Sequence, residues 1–320
     1  MKLVFCGTPR FAVPTLEALR EAEHEVALVV SQPDRPVGRD QQLAAPPVKQ
    51  AALAAGLTVT QPEKIRTNPE FRAQLEAIAP DAIVVVAYGR LIPPWMLALP
   101  RLGCINLHAS LLPRYRGAAP IQWALANGDI VTGNTTMLLD EGLDTGPILL
   151  QRAFAIAPDL SAAQLFDELA VGGAPLVLKT LEGLKGGSLQ PRPQNSEGAT
   201  LAPLLTREDG RMDFAARTAK ELRNRWRGFQ SWPGAFTTLN GKKLIAHRLA
   251  VADASTFAIP VAAEPGQIHM EDHRLFVACA GESWLELIEL QLEGKKRLTA
   301  AEFLRGNVLS DGARLGIGTP

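Results

Sequence analysis

Asn106, His108 and Asp144 are the residues of this chain whose types and spacing invite chemistry. Asn106 and His108 stand two apart in the apolar run Cys104–His108, which reads as a strand. Side chains two apart on a strand point to one face. Asp144 sits in a glycine-punctuated loop, Asp140-Glu141-Gly142-Leu143-Asp144-Thr145-Gly146. An imidazole exchanges protons near neutral pH. A carboxylate beside it fixes its tautomer and favours its charged form. An amide NH2 donates to an oxyanion forming on a carbonyl, a contribution of about 3–4 kcal/mol. Together the three suit proton transfer coupled to attack on a carbonyl carbon. Spacing alone leaves a hydrogen-bonded core histidine as an equal alternative; the shared face of Asn106 and His108 tilts the reading towards a site. No Ser or Cys stands in a nucleophile elbow, so the attacking group of any acyl transfer belongs to a substrate.

Other polar clusters carry weaker signals. No GxGxxG follows the first strand, where the turn is Gly7-Thr8-Pro9, and no P-loop occurs. Arg114, Tyr115 and Arg116 form either a solvated loop or the frame of a pocket for an anionic cosubstrate. Ser31–Gln42 is a long polar loop, and loops of that length in compact domains tend to be functional or disordered; its Arg35 and Arg39 are candidates for phosphates. Arg217, Lys220, Arg223 and Arg227 recur at three- and four-residue steps, with Arg225 nearby. Such a stripe is usually a solvated helix face; the alternative is contact with a phosphate backbone, which positions a nucleic acid without reading bases. His269-Met270-Glu271-Asp272-His273 lacks the HExxH order of a zinc helix and reads as a hairpin turn between two alternating runs.

These residues need a frame. The first half alternates strand signals (2–6, 26–31, 57–60, 82–87, 104–108, 135–139, 148–156) with helical ones (13–19, 46–55, 70–78, 118–126, 160–184). Ala82–Ala87 is apolar and largely β-branched, as a central parallel strand covered on both faces must be. The order predicts an α/β, Rossmann-like, doubly wound, mostly parallel sheet, which binds ligands beyond the carboxyl ends of its strands. His108 lies at such an end. Gly186–Pro203 reads as a linker. Residues 209–226 carry a basic helical pattern. Short alternating runs then follow at 235–239, 243–250, 267–269, 274–278 and 284–291, with turns such as Asn240-Gly241, and predict a small OB-like β-barrel. The expected division is 1–188, a linker at 189–207, and 208–320.

Composition excludes several classes. The chain has 320 residues, 47% hydrophobic and 21% charged, a globular profile that is long for one core. Formal net charge is zero, so any polyanion site is a local patch. Cys6, Cys104 and Cys279 fit no metal, redox or disulfide spacing. The opening apolar run stops at Gly7, too soon for a signal peptide. No apolar stretch reaches membrane-spanning length. A cytoplasmic, reducing location is the expectation.

Five stretches carry a resemblance: Phe5–Pro9 (FCGTP), Ser31–Arg39 (SQPDRPVGR), Val84–Gly89 (VVVAYG), Gly103–Gln122 (GCINLHASLLPRYRGAAPIQ) and Met137–Leu149 (MLLDEGLDTGPIL). Trp232–Phe236 (WPGAF) and Ile288–Gly306 add to it in the second half. The sequence resembles the folate-dependent formyltransferases, and over its full length the branch acting on methionyl-tRNA. The resemblance implies Asn106, His108 and Asp144 as catalytic residues and Ser110, Leu111, Leu112 and Pro113 as the folate-binding segment. It implies tRNA contacts through Arg35 and Arg39, with the second domain, and by extension Arg217, Lys220 and Arg223, supporting them. It further implies 10-formyltetrahydrofolate as a consumed cosubstrate, initiator methionyl-tRNA as partner, no metal, no membrane, and a monomer. Asp40-Gln41-Gln42 stands where the family often carries Gly-Lys-Lys, which shifts the grip on tRNA elsewhere. Two competing readings remain: a formyltransferase acting on an amino sugar or ribonucleotide amine, which salt-dependent tRNA affinity would separate, and a non-catalytic folate- or RNA-binding module, which would bind without transfer.

Overall fold

A computed structural model describes residues 1–37, 42–230, 232–253, 256–257, 260 and 263–316. The chain divides into two compact units. Unit 1 comprises Met1–Pro120, Val131–Ile156 and Gln164–Pro203; unit 2 comprises Ile121–Ile130, Ala157–Ala163 and Leu204–Pro320.

In chain order the strands of the first half are β1 (Lys2–Gly7), β2 (Glu25–Val30), β3 (Arg35–Val37), β4 (Gln42–Ala44), β5 (Val59–Thr60), β6 (Ala82–Val86), β7 (Cys104–His108), β8 (Val131–Leu138) and β9 (Ile148–Ala155). The helices are α1 (Val13–Glu21), α2 (Pro47–Ala54), α3 (Pro69–Ile78), α4 (Pro94–Leu97), α5 (Pro120–Ala126) and α6 (Ala162–Lys185). Seven strands form one sheet, in the order β5-β2-β1-β6-β7-β8-β9. Pairing is parallel from β5 to β7 and antiparallel at β7–β8 and β8–β9. The sheet is therefore mixed, Rossmann-like and mostly parallel, with the topological switch between β1 and β6, the crevice where such sheets take ligands.

The apolar runs explain the layers. Val4, Cys6, Leu28, Val30, Ile83, Val85 and Cys104 line one sheet face, under Phe71 and Leu75 of α3 and Met96 of α4. On the other face α6 comes very close: a Cβ on Gly173 would lie 2.6 Å from Leu107 Cδ2, so glycine is what lets helix and strand approach. β8 begins four residues earlier than its apolar signal. Thr132, Asn134, Thr135 and Thr136 are buried, and three of them bond inside: Asn134 Nδ2 donates to Leu169 O (2.8 Å), Thr135 Oγ1 donates to Ser110 O (2.6 Å) and the Thr136 and Thr180 hydroxyls share a 2.7 Å bond. The Thr132 hydroxyl is buried without a partner among the described residues. The loop expected at 31–42 contains the β3–β4 hairpin.

Unit 2 holds α7 (Ala219–Phe229), β10 (Ala235–Leu239), β11 (Lys242–Val251), β12 (Ile268–Glu271), β13 (Arg274–Cys279), β14 (Ser283–Leu292), β15 (Leu298–Thr299) and α8 (Ala300–Gly306). The antiparallel order is β10-β11-β14-β13-β12, with β15 on β14. Asn240-Gly241 and Asp272-His273 both turn with positive φ, the signature of two-residue hairpins. The His269–His273 stretch is thus a hairpin, as expected. Residues 313–316 tie the two sheet edges together. Ala313 O accepts from Ile268 N (2.8 Å), Leu315 N donates to Gly266 O (2.8 Å) and Gly316 N to Thr238 O (2.9 Å). The basic helix starts at Ala219, ten residues later than its pattern suggests. Its start is fixed by a capping box between Thr218 and Glu221.

Candidate active site

β7 is buried at all five positions. The face that carries Cys104 at one end of the strand carries Asn106 and His108 at the other. The core layer therefore turns polar where the sheet meets its crevice. His108 Nε2 lies 2.8 Å from Tyr115 O. A carbonyl only accepts, so Nε2 holds a proton. In the neutral ring Nδ1 is then the atom left to take one. Nδ1 faces Asp144 Oδ2 at 3.7 Å.

Asp144 lies in the β8–β9 loop with φ of 52°, a conformation that side chains other than glycine seldom adopt. Two sets of bonds hold it there. Gly117 N donates to Asp144 Oδ2 (2.9 Å). Asp140 accepts from Gly142 N (3.0 Å) and Thr145 Oγ1 (2.8 Å), shaping the loop from within. Gly117 itself has φ of 123°, and a Cβ there would lie 2.6 Å from Ala202 O. Only glycine offers its N–H to the carboxylate at that point.

The Asn106 amide has no hydrogen-bond partner among the described residues, although the residue is 9% exposed. It is not among the fully buried unmatched groups, so the amide opens towards solvent, and it shares its strand face with the imidazole. The geometry thus joins His108 to Asp144 and leaves an uncommitted amide donor beside them.

The segment 110–113 wraps a polar post. Thr135 Oγ1 donates to Ser110 O (2.6 Å) and accepts from Leu112 N (3.1 Å) and Gln151 Nε2 (2.9 Å). Gln151 Nε2 also reaches Leu112 O (2.9 Å). Ser110 Oγ is spent on Arg114 O (2.6 Å), and Leu112 packs with Met137 and Ile148. Leu111 and Pro113 are half-buried, so they are the side chains of this segment left to meet a ligand.

Arg116, one of the ambiguous loop cations, is bound by Gln194 Oε1 through Nε (3.1 Å) and Nη2 (2.8 Å). Tyr115 is buried and supplies the carbonyl that holds His108. Tyr115 and Arg116 therefore frame the site, while Arg114 is exposed and lies over the Tyr115 ring at 5.0 Å. Sequence reading passed over Gly117, Thr135, Gln151, Gln194 and Thr200. One signal did exist for Gln194: Pro191-Arg192-Pro193 is stiff, extended chain, unlike a slack linker.

The basic residues separate into two kinds. Arg227 is 5% exposed and donates to Ala157 O, Pro158 O and Leu160 O. Arg225 lies over the rings of Phe229 (4.9 Å) and Trp123 (5.7 Å), and burial lowers its pKa. Arg223 pairs with Asp159 and reaches Pro158 O. These three tie unit 2 together. Lys220 is exposed and Arg217 half-exposed. Arg35 is exposed, 3.5 Å from Glu63; Arg39 lies outside the described residues. Among the described residues no cluster of three His, Cys, Asp or Glu side chains is placed to hold a metal ion, and no helix is long and apolar enough to cross a membrane.

Residues 1–180 match the formyl transferase family model and residues 204–308 that of the formyl transferase C-terminal domain. This chain belongs to the formyl transferase family. Relatives agree along its length. A methionyl-tRNA formyltransferase of Acidobacterium capsulatum is 64% identical over 316 residues, covering 99% of this chain and all of the relative. One of Koribacter versatilis is 56% identical, covering 99% of each. Among solved structures, the sugar 3N-formyl transferase WlaRD superposes with a TM-score of 0.64 at 16% identity, over 92% of this chain and 99% of the other; that likeness shows a shared fold. In this formyltransferase the histidine–carboxylate pair and the open amide lie within the first matched region, unit 1.

Proposed function

We propose that this formyltransferase moves the formyl group of 10-formyltetrahydrofolate to the α-amino group of methionyl-initiator-tRNA. The observation that carries the chemistry is the His108–Asp144 pair with the unpartnered Asn106 amide on the same strand face. Full-length identity to named methionyl-tRNA formyltransferases supports the acceptor.

The steps follow from the groups present. The neutral amine attacks the formyl carbon. The carbonyl oxygen becomes an oxyanion, and Asn106 donates to it. His108 takes the ammonium proton at Nδ1, the nitrogen that its bond to Tyr115 leaves open, and Asp144 stabilises the charged ring. The tetrahedral carbon then expels the folate nitrogen as the carbonyl re-forms, and that nitrogen takes the proton back from the His108 imidazolium. The products are the formamide and tetrahydrofolate, and no oxidant or metal enters the balance. Holding both substrates at one carbon supplies much of the acceleration. Leu111 and Pro113 would contact the folate. Arg35, Arg39, Arg217 and Lys220 would contact tRNA phosphates. Arg223, which pairs with the exposed Asp159, would join that set by exchanging one anion for another.

Labelled 10-formyltetrahydrofolate offered with charged initiator tRNA, charged elongator methionine tRNA and an amino-sugar nucleotide tests the reading. Label is expected on the initiator species above all. Label on the sugar alone would overturn the acceptor assignment, and no label on any acceptor would overturn the activity.

A further inference from the structure

The stretch after α6 reads as a linker, yet residues 192–202 lie along unit 1 as a strap over the candidate site. Arg192 and Ile148 exchange both backbone bonds (Ile148 N to Arg192 O 2.7 Å, Arg192 N to Ile148 O 2.8 Å). Gln194 Nε2 donates to Asp144 O (2.9 Å) and to Gly146 O (2.7 Å), while its Oε1 receives Arg116. Thr200 Oγ1 accepts from Tyr115 N (2.8 Å), Thr200 O accepts from Arg116 N (2.8 Å), and Ala202 N donates to Arg116 O (2.7 Å).

The residues so held are the ones that set the histidine–carboxylate pair. Tyr115 O orients the His108 ring. Asp144 carries the carboxylate, in a backbone conformation it would not choose unaided. Gly117 N, next to Arg116, binds that carboxylate. One strap therefore anchors both sides of a 3.7 Å gap: Gln194 on the Asp144 side and Thr200 on the Tyr115 side. Each Gln194 amide atom is used, and the two carbonyls it bridges belong to one loop. An extended tether has no need of such matching.

We infer that Gln194 and Thr200 are positioning residues of the transfer reaction, acting through Asp144 and Tyr115 to fix the distance between His108 and Asp144. The inference rests on the proposed roles of His108 and Asp144. It adds that the segment joining the two matched family regions is part of the catalytic frame. A polar strap is a sensible means. Asp144 and Tyr115, through which the strap acts, both lie on loops, and loops open at low cost unless cross-linked.

The test compares full-length wild type with Gln194→Glu, Gln194→Ala, Thr200→Val, Thr200→Ser and His108→Ala. Gln194→Glu keeps volume and the Arg116 partner but removes both donors to the Asp144 loop. Thr200→Ser keeps the hydroxyl. The readouts are kcat, KM for each substrate, and melting temperature. Gln194→Glu and Thr200→Val are expected to lower kcat roughly 10- to 100-fold with KM little changed, since misplacement near the reacting groups costs that much. Thr200→Ser should restore turnover. Wild-type kcat in Gln194→Glu and Thr200→Val, beside an inactive His108→Ala, would overturn the strap's role and leave the site reading intact. Raised KM with unchanged kcat would overturn it too. Activity in His108→Ala would overturn the reading beneath it. Should Gln194→Ala melt early, Gln194→Glu at unchanged melting temperature still decides.

Discussion

Asn106 is the residue whose surroundings speak most plainly. Its neighbours on the strand face are satisfied: His108 is bonded to Tyr115 and faces Asp144, and Cys104 lies in the apolar layer. The amide alone is left with donors to give. Removing it should leave the fold as stable as before, or slightly more so, because no internal bond is lost. Asn106→Ala is therefore expected to lower kcat about 100- to 1,000-fold, the usual cost of one oxyanion donor, at an unchanged melting temperature. Steady-state kinetics beside thermal melting checks both halves. A stability loss with normal kcat would make Asn106 a structural residue. The three cysteines point the other way. Burial pushes the Cys104 and Cys279 thiols up to about 12 and raises that of Cys6 well above its ordinary value, so they are small core residues and offer no thiolate for chemistry.

Among the elements, those whose burial is written in apolar residues were legible. The span of β7 and the carboxyl-end position of His108 follow from the run Cys104–His108, and the two hairpins of unit 2 follow from turn residues that tolerate positive φ. Elements built on polar residues were not. The early part of β8, Thr132-Gly133-Asn134, reads as loop because it carries no apolar side chain, and the bond from Asn134 to Leu169 of α6 that helps seat it is a tertiary one. The helix expected from residue 209 begins at Ala219, because the capping box at Thr218 outweighs the basic pattern upstream of it. Gln194 and Thr200 were hidden in a Pro- and Gly-rich stretch whose composition says connector and whose hydrogen bonds say scaffold. The C-terminal closure was equally silent: residues 313–316 show no strand pattern, yet they link the edges of β12 and β10. Leu315, 3% exposed in the unit 2 core, is the anchor of that closure. Leu315→Ala is expected to destabilise unit 2 by about 2–5 kcal/mol, seen as a lower denaturation midpoint for the transition involving this unit. An unchanged midpoint would mean that the closing segment contributes nothing.

At the scale of the molecule, zero net charge leaves stability against acid to individual carboxylates. Lys49, with help from Gln61, holds Asp34 below the ordinary carboxylate value, and the Lys2 backbone N–H and Arg101 do the same for Asp81. The capping N–H groups and hydroxyls of Thr218 and Thr299 lower Glu221 and Glu302. Each folded value lies below the unfolded one, so the unfolded chain binds more protons in between. The stabilisation is complete above pH about 4–5, where the unfolded carboxylates are ionised, and is lost as pH falls through the lowered values. Melting temperature should therefore hold steady down to that range and then drop, and Lys49→Met should flatten part of the drop. A profile insensitive to acid would refute the assignment. Length and the change of texture after Gly186 set the expectation of two domains. The grouping of residues 121–130 and 157–163 with unit 2 was not foreseen, because contacts made by distant segments leave no local pattern.

The central claim is that His108, held by Tyr115 and facing Asp144, moves the proton in formyl transfer. It is tested most directly by the single-turnover rate of label transfer from 10-formyltetrahydrofolate to charged initiator tRNA, with wild type and His108→Ala both saturated with substrates. The account predicts a fall of about 100- to 10,000-fold in that rate with tRNA affinity retained. A variant transferring the formyl group as fast as wild type would contradict it.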